Sequence, residues 1–436
     1  MSVLVVGMSH KSAPIELLER VSLDPSAAIK LSHLALEAPS VSEAAVISTC
    51  NRVEIYVETD RFHGAVEEVS RLLADHAQLD RDEIVSNVYV HYDDSAVAHL
   101  FAVASGLDSM IIGESQILGQ VRDALLTGQA ESTVGSALNA LFQQALRIGK
   151  RGHAETGIDH LAPSIASAAL DAAGDVVTAP TSRFVVVGAG AMASLAIRAL
   201  IDRGIAPERI TVVNRTAERG VELALTMGAK TADWTELDAS LAHADVVISC
   251  VGAAGIVLDA ERLASAAAAG PVTVLDLGLP RDVVRDAGEL PGVSVIDLAD
   301  LATLAERANT GSAELADDIS DVRAIVDDEV RTFLAAKSAS RVTPTVVALR
   351  SMATSVVEAE AERLASRLGA LNADDLNEVR RALQRVAEKL IHAPTVRVQE
   401  LVDGPAGLTY ADALTDLFAL DPAAVEAVTR VGGDTE

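Results

Sequence analysis

The chain has 436 residues, which is too long for a single hydrophobic core and predicts several domains. It carries 63 acidic and 35 basic residues, for a formal net charge of −28, and this charge argues against a general nucleic-acid binder because phosphate contacts need Lys and Arg. The acidic balance also predicts a protein kept soluble in concentrated salt, as in halophiles; the alternative is simple acidic drift.

The two cysteines, Cys50 and Cys250, lie far apart and show neither a disulfide framework nor zinc spacing. We therefore predict a reducing, cytoplasmic environment and no metal site. The short apolar run at 3–6 has no basic residues before it, so it does not resemble a signal peptide. No run is long and apolar enough to span a bilayer, and we expect no membrane association.

In the first third of the chain, a polar stretch separates two apolar runs. The runs at 44–47 and 53–57 predict two strands joined by a tight turn, with Cys50 at the turn. Arg52 follows two residues later, and a guanidinium near a thiol lowers the thiol pKa or anchors an anionic substrate. Cys50 is thus either a reactive thiol or a buried structural cysteine, and its polar neighbours are unusual for a core.

Two further features follow in the same part of the chain. A helical pattern begins at Ser95 and carries His99 beside its apolar face, where a partly buried histidine is more usual than a catalyst. The segment 105–122 interleaves glycines with Ser, Glu and Gln. This pattern favours close backbone approach to a ligand, with a capped corner between two helices as the alternative.

From Phe184 the pattern becomes that of a doubly wound parallel sheet. The apolar strand at 184–187 runs into a Gly-x-Gly-x-x-Ala turn and then a helix, an arrangement that lets the backbone approach a pyrophosphate at the helix N-terminus. The predicted cofactor-binding residues of this turn are Gly188, Ala189, Gly190, Ala191, Met192 and Ala193.

The end of the next strand predicts which dinucleotide is bound. After the strand at 210–213, Asn214, Arg215 and Thr216 stand where NAD enzymes carry an acidic residue, so they favour the 2′-phosphate of NADP. Further strands are predicted at 246–250, 272–276 and 293–296. Cys250 would then lie inside a buried strand, as a structural residue.

Beyond Asp297 the pattern is helical only. A charged helix carries apolar residues from Leu315 to Phe333 at steps of three and four, and further amphipathic helices begin at Thr345 and Asp374. Such helices cannot bury their apolar stripes alone, so pairing with a second copy of the chain is expected.

Together these segments resemble the glutamyl-tRNA reductase family. The matching stretches follow the family's order along the chain, at 7–14, 48–54, 104–120, 149–151, 188–193, 214–216, 276–282 and 389–395. The resemblance implies an α/β multidomain fold and a V-shaped homodimer. The implied parts are an α/β catalytic, glutamyl-tRNA-binding domain at 1–155, a doubly wound Rossmann NADP-binding domain at 156–298, a spinal helix with an all-helical dimerisation domain at 299–425, and a polar tail at 426–436.

The resemblance also implies a reaction. Cys50 matches the nucleophile that takes the glutamyl group from glutamyl-tRNA(Glu) as a thioester, which hydride from NADPH reduces to glutamate-1-semialdehyde, the first step of five-carbon tetrapyrrole (porphyrin) biosynthesis. His99 matches a histidine with an acid/base or transition-state role. The residues that match substrate contacts or their neighbours are Thr49, Asn51, Arg52, Ser109, Glu114, Ser115, Gln116 and Gln120. Arg52 would clamp the glutamate carboxylate, and the unstable product suggests a complex with glutamate-1-semialdehyde aminomutase.

Two other functions remain open from the sequence. The turn at 214–216 equally suits an NADP-dependent dehydrogenase of the shikimate type, although the lysine–aspartate pair usual in that enzyme has no clear place here. The second alternative is a non-catalytic dimer that senses NADP through a degenerate site. Thiol alkylation that the substrate protects against would distinguish the reductase from both.

Overall fold

The computed structural model describes residues 2–49, 51–114, 116–156, 158, 164–252, 255–308, 313–367, 373–401, 413–415, 417, 418 and 420. Two of the predicted site residues, Cys50 and Ser115, lie outside the described residues, as does the tail predicted at 426–436. The chain divides into two compact units, Met1–Asp327 and Asp328–Glu436.

The first unit begins with a four-stranded antiparallel sheet in the order β2–β3–β1–β4. Its strands are β1 (Ser2–Ser9), β2 (Val41–Ser48), β3 (Arg52–Thr59) and β4 (Tyr89–Tyr92). One face packs in an apolar core against α1 (Ile15–Val21), α2 (Pro25–Leu36), α3 (Phe62–Ala77) and α4 (Arg81–Val85). On the other face, the Tyr56 ring meets the Phe142 ring edge-on at 5.3 Å.

The second face is covered by α5 (Asp94–Ala104), α6 (Gln116–Ala130) and α7 (Ser136–Glu155). Helices α5 and α7 approach closely at Gly149, where a Cβ would lie 2.4 Å from the Ala104 carbonyl oxygen. A side chain at Gly149 would therefore push the two helices apart.

The predicted cysteine hairpin is confirmed at the level of its strands. Ser48 of β2 lies opposite Val53 of β3, and the Thr49 N–H donates to the Arg52 carbonyl oxygen at 2.9 Å. The alternation of side chains along β3 then places Arg52, Glu54 and Tyr56 on one face of the sheet.

The glycine-rich segment 105–122 is a corner between two helices, and its second half is helical from Gln116 onward. Gly106 and Gly113 both have positive φ, +72° and +88°, and the Gly113 N–H donates to the Gly106 carbonyl oxygen at 3.0 Å. A Cβ at Gly106 would lie 3.1 Å from the Gly113 Cα, so these glycines close the loop on itself.

A six-stranded parallel sheet follows, in the order β10–β9–β8–β5–β6–β7. Its strands are β5 (Phe184–Val187), β6 (Ile210–Val213), β7 (Lys230–Ala232), β8 (Val246–Ser249), β9 (Val272–Asp276) and β10 (Val293–Asp297). The strand order reverses between β5 and β8, and such a reversal leaves a crevice at the carboxyl ends of the strands in which dinucleotides bind.

Helices cover both faces of this sheet. They are α8 (Ile165–Ala173), α9 (Asp175–Thr178), α10 (Ala191–Asp202), α11 (Ala217–Met227), α12 (Leu237–Leu241), α13 (Ala260–Ala267) and α14 (Leu298–Ala308), with short 3-10 turns at Pro207–Arg209, Trp234–Glu236 and Arg285–Glu289. The doubly wound prediction is confirmed, with one strand, β7, that the sequence pattern did not indicate.

One detail of the sheet prediction was wrong. Cys250 does not lie inside a strand: β8 ends at Ser249, and Cys250 is half-buried in the turn that follows. The apolar run continues one residue beyond the last ladder position, so hydrophobicity alone did not mark the end of the strand. Burial raises the pKa of the Cys250 thiol, which keeps it protonated and unreactive.

Helix α15 (Ala313–Arg367) has 55 residues, and α16 (Ala373–Leu401) follows it. The long charged helix is confirmed, but Thr345 is not the start of a new helix, because the backbone of α15 continues through it. Periodicity reports which side of a helix is buried and not where the helix ends. Within the second unit, Val346, Leu349 and Leu414 belong to one apolar cluster.

Beyond Asp297 the described residues contain helices and no strand. Among the described helices, none offers an apolar stretch long enough to cross a bilayer.

Candidate active site

The residues on either side of Cys50 are held by hydrogen bonds. The Thr49 hydroxyl oxygen accepts the N–H groups of Asn51 and Arg52 at 3.1 and 3.2 Å. The Asn51 carbonyl oxygen accepts the His10 N–H at 3.0 Å, which ties the hairpin loop to the segment after β1. Both flanks of the predicted nucleophile are therefore fixed by the backbone around them.

Arg52 is buried, and its guanidinium is bound by protein groups. Its side chain is 1% exposed, and Nη1 lies 2.7 Å from Glu54 Oε1 and 3.0 Å from Asp108 Oδ2. Nη2 donates to the Asp108 carbonyl oxygen, and Lys11 Nζ contacts Asp108 Oδ1 at 2.5 Å. A substrate carboxylate would have to share Arg52 with Asp108, so the clamp role remains a prediction.

Glu54 is the fully buried centre of the array. Its Oε1 accepts hydrogen bonds from His99 Nε2 at 2.8 Å and from the Tyr89 hydroxyl at 2.5 Å, and its Oε2 accepts the Tyr56 hydroxyl at 2.7 Å. Burial alone would raise the pKa of Glu54, but the charges of Arg52 and His99 and these hydrogen bonds hold it well below its usual range. These contacts therefore favour the ionised form of Glu54.

Room for this carboxylate comes from Gly7, which lies opposite Glu54 in the β1–β3 ladder. A Cβ at Gly7 would lie 2.8 Å from Glu54 Cγ and 2.8 Å from the Tyr89 ring. Any side chain at this position would therefore displace both groups.

His99 lies at the edge of the array, with its side chain 10% exposed. The His91 ring stacks on it, with ring centroids 4.4 Å apart and an interplanar angle of 17°. The Tyr89 ring meets it edge-on at 5.3 Å. His99 thus has one nitrogen bound to an anion and one ring face covered.

The remaining substrate predictions lie at the helix corner. Ser109 is buried and donates its N–H to the Gly106 carbonyl oxygen at 3.3 Å. Burial raises the pKa of Glu114 to about 7. Glu114 Oε1 and Gln116 Nε2 are buried, and neither has a hydrogen-bond partner among the described residues. Such orphaned atoms are rare in native proteins and fit a site that receives a polar ligand.

Gln120 lies further along α6, where it lines a cavity of about 270 Å³ together with Ser48 and Asp123. Asn51 is buried, with its side-chain oxygen unpaired in the described part of the chain. The structure therefore brings Arg52 and His99 together through Glu54 Oε1, which both contact, while Ser109, Glu114 and Gln116 lie in the glycine-rich corner that follows α5.

Sequence reasoning missed four groups of this array, namely Glu54, Tyr89, His91 and Asp108. The sequence did contain one indication of this array, namely Glu54, a charged residue that stands between the buried Val53 and Ile55 in β3. A carboxylate in such a position needs several hydrogen-bond partners.

The dinucleotide turn has the geometry that its sequence predicts. Gly188 has φ +116°, and a Cβ there would lie 2.7 Å from the Cys250 carbonyl oxygen. Gly190 precedes α10, and a Cβ there would meet nothing within 4 Å, so the space in front of the helix is open. The first N–H groups of α10 have no partner within the helix, so they can receive a pyrophosphate.

The predicted 2′-phosphate residues lie at the end of β6. Asn214 Nδ2 donates to the Thr216 carbonyl oxygen at 2.8 Å, which shapes the turn. Arg215 is exposed, and its guanidinium lies over the Trp234 ring at 5.2 Å. The ring holds the arginine in place and leaves its charge available to a phosphate. These residues fit NADP.

The segment 276–282 connects this sheet to the amino-terminal helices. Asp282 accepts the Ser249 hydroxyl at 2.8 Å and the N–H groups of Val251 and Gly252 at 2.7 and 3.1 Å. Its neighbour Arg281 donates from Nε to Glu19 Oε1 of α1 at 2.9 Å. Asp282 therefore binds the turn after β8, while the adjacent Arg281 binds α1.

Within the described residues, no three His, Cys, Asp or Glu side chains come together in a way that could hold a metal ion.

Comparison with known proteins decides the family. The N-terminal domain model of glutamyl-tRNA(Glu) reductase matches residues 6–156, the shikimate/quinate 5-dehydrogenase model matches 171–304, and the dimerisation domain model of glutamyl-tRNA(Glu) reductase matches 321–420. Glutamyl-tRNA reductase 1 of Nocardioides sp. is 53% identical over 100% of both chains. The chain belongs to the glutamyl-tRNA reductase family.

Other relatives include the glutamyl-tRNA reductase of Thermobifida fusca, which is 42% identical over 99% of this chain and 98% of its own. The solved structure of glutamyl-tRNA reductase from Methanopyrus kandleri is 29% identical, covers 88% of this chain and 98% of its own, and has a TM-score of 0.40.

Membership of the glutamyl-tRNA reductase family makes the chain an NADPH-dependent oxidoreductase of the first step of tetrapyrrole synthesis, with a dimerisation domain in its carboxyl-terminal part. The shikimate-type alternative describes only the NADP-binding part, because that family model ends at residue 304 and the relatives that span the whole chain are glutamyl-tRNA reductases. The non-catalytic alternative is set aside on the same ground.

Proposed function

We propose that Cys50 carries the glutamyl group as a thioester while glutamyl-tRNA(Glu) is reduced to glutamate-1-semialdehyde. The Cys50 thiolate attacks the ester carbonyl, the bond to the tRNA ribose oxygen breaks, and that oxygen takes up a proton. NADPH, when bound, supplies the hydride that reduces the thioester carbon. The resulting oxygen anion is protonated and then gives up its proton as the carbon–sulfur bond breaks, which releases the aldehyde and restores the thiolate.

The observation that carries this proposal is the array beside the hairpin loop. Glu54, whose pKa is held well below its usual range, accepts the Nε2 hydrogen of His99 at 2.8 Å and so fixes which His99 nitrogen faces the array. We propose that His99 is the acid that protonates the leaving ribose oxygen and, after taking up a proton from solvent, the oxygen of the reduced carbon. It receives this second proton back as the carbon–sulfur bond breaks.

The substrate contacts proposed for this site are Thr49, Asn51, Arg52, Ser109, Glu114, Ser115, Gln116 and Gln120. Arg52 attracts the side-chain carboxylate of the glutamyl group, in place of part of its contact with Asp108. The substrate's α-ammonium group suits Glu114, which is buried and has an unpaired oxygen. A positive charge there would lower the pKa of Glu114 from about 7 and favour its ionised form.

For the cofactor, we propose that Gly188, Ala189, Gly190, Ala191, Met192 and Ala193 receive the pyrophosphate, while Asn214, Arg215 and Thr216 receive the 2′-phosphate. The positive φ of Gly188 and the open space at Gly190 support the first part. The exposed Arg215 on Trp234 supports the second.

The decisive experiment is incubation with glutamyl-tRNA in the absence of NADPH, followed by mass spectrometry of the Cys50 peptide. The peptide should gain one glutamyl group through a thiol-sensitive bond, and Cys250→Ser should show the same gain. Cys50→Ser should show none and should not reduce glutamyl-tRNA, while it still binds NADPH. Turnover by Cys50→Ser would contradict the covalent route.

We further propose domain boundaries at 1–155, 156–298 and 299–425, a cytoplasmic location and a surface adapted to high salt. The cytoplasmic location is supported by the presence of only two cysteines. The adaptation to high salt is supported by the excess of 63 acidic over 35 basic residues. Cell fractionation tests the location, and stable expression of residues 156–298 alone tests the central boundaries; insolubility of that piece would argue against them.

We also propose transfer of the semialdehyde to its aminomutase in a complex, because a free aldehyde beside an α-amino group is reactive. Co-elution of the two purified enzymes in gel filtration is the test, and separate elution at high concentration would refute it.

A further inference from the structure

His91 has no assigned role, yet it makes the closest ring contact of the proposed acid. It lies on β4 two residues after Tyr89, so both side chains point to the same face of the strand, toward α5. The His91 and His99 centroids are 4.4 Å apart with an interplanar angle of 17°, while Tyr89 meets the His99 ring at 5.3 Å with an angle of 61°. One short strand therefore packs two rings against a single imidazole.

The orientation of His99 is important because its two nitrogens have different tasks. Glu54 is an anion that can only accept, so Nε2 must carry the hydrogen of the 2.8 Å bond. Nδ1 is then the nitrogen left to exchange a proton with the substrate. Rotation about the bond between Cβ and the ring has broad, weak minima in histidine, and a rotation would exchange or misplace both nitrogens.

We propose that His91 is a positioning residue, whose ring packs flat on His99 and keeps Nε2 on Glu54 and Nδ1 free for the substrate. The Tyr89 hydroxyl shares Glu54 Oε1 with His99, which limits tilting within the ring plane. The His91 face limits rotation out of that plane. This inference rests on the acid role proposed for His99.

The groups around His91 affect its charge state. Burial and the neighbouring His99 lower the pKa of His91, against the raising effect of Glu54 and Asp108. The charged and titratable groups that face the pair are Arg52 and Glu54 from β3, Tyr89 from β4 and Asp108 from the loop after α5. The lowered pKa of His91 favours its neutral form, in which it acts as a flat ring rather than as a second acid.

A matched pair of variants separates the ring from the imidazole. His91→Phe keeps a flat ring and removes both nitrogens, whereas His91→Ala removes the ring. We expect His91→Ala to lower kcat about tenfold or more, with KM for glutamyl-tRNA and NADPH within about twofold, because misplacement of a catalytic group reduces turnover rather than binding. We expect His91→Phe to keep kcat within about threefold of the native enzyme.

A double-mutant cycle then shows whether His91 acts through His99. In a His99→Asn background, His91→Ala should change kcat less than about twofold, because the ring that it positions is gone. Three outcomes would each overturn the proposal. They are full kcat in His91→Ala, equal losses of kcat in His91→Phe and His91→Ala, and an effect of His91→Ala that is undiminished in the His99→Asn background. Full kcat in His99→Asn would contradict the acid role of His99. A loss of kcat in His99→Asn together with full kcat in His91→Ala would contradict only the positioning role of His91.

Discussion

At the scale of single residues, the site is organised around a buried anion. Glu54 is fully buried, and four donors from Arg52, His99, Tyr89 and Tyr56 surround its two oxygens. Burial of a carboxylate is unfavourable by several kcal/mol unless such partners are present. The array therefore stabilises a charge that burial alone would disfavour, and the same carboxylate holds both Arg52 and His99 in place.

Glu54→Gln tests this use. The neutral amide still fills the space, but it offers one acceptor oxygen in place of two and no charge to the buried Arg52. We expect a loss of kcat of about tenfold or more and a loss of unfolding free energy of about 3 kcal/mol, measured by steady-state assay and urea titration. Glu58→Gln, on the same face of β3 but half-buried, is the control and should retain both.

Arg215→Ala tests the choice of cofactor. Loss of the guanidinium that lies over Trp234 removes the proposed contact to the 2′-phosphate, and NADH has no such phosphate. We expect Kd for NADPH to rise about tenfold or more and Kd for NADH to change little, since a charge-assisted bond contributes about 1.5–3 kcal/mol. Equal weakening of both cofactors, measured by fluorescence titration, would remove Arg215 from this site.

Sequence analysis identified Arg52 and His99 but not what they bind. Glu54 is 45 residues from His99, and Asp108 is 56 residues from Arg52. Motifs record residues that are close along the chain, whereas these partners become close only when β1, β3, β4 and α5 assemble. For the same reason, the sequence suggested that Arg52 is free to clamp a ligand, whereas the folded chain surrounds it with protein acceptors.

At the scale of elements, periodicity predicted the type of most segments, and their ends less well. The hairpin, the Gly-rich turn before α10 and the long helix α15 were each readable, because apolar spacing follows the burial of one face. β7 was not readable, since Lys230 and Thr231 are exposed and carry no apolar alternation. The boundary at Thr345 was wrong because a change of buried face can occur within one continuous helix.

A prediction at this scale concerns the turn after β8. Asp282 holds Val251 and Gly252 in place, and the Cys250 carbonyl oxygen packs on Gly188 of the dinucleotide turn. Asp282→Asn keeps the shape but loses acceptor capacity, which disorders the edge of the cofactor crevice. We expect KM for NADPH to rise about fivefold or more, equivalent to roughly 1 kcal/mol, while KM for glutamyl-tRNA stays unchanged.

The matched control for Asp282→Asn is Asp286→Asn, which changes an exposed aspartate in the neighbouring 3-10 turn. Its kinetic constants should equal those of the native enzyme. An unchanged KM for NADPH in Asp282→Asn would show that the turn keeps its shape without the carboxylate.

At the scale of the whole molecule, the net charge of −28 predicts how stability depends on salt. Like charges repel one another in dilute buffer, and at 1 M salt the screening length falls to about 3 Å. We therefore expect the melting temperature and activity to rise from dilute buffer to molar KCl, measured by calorimetry and NADPH oxidation. An enzyme with full activity and its highest melting temperature in dilute buffer would refute adaptation to brine.

Arg281 and Asp282 are adjacent along the chain, and their side chains bind different parts of the first unit. The carboxylate of Asp282 holds the turn after β8, at the carboxyl ends of the parallel strands, while Arg281 binds Glu19 of α1, which packs on the amino-terminal sheet. A change in the turn that lines the cofactor crevice would therefore lie one residue from the contact that joins this sheet to α1.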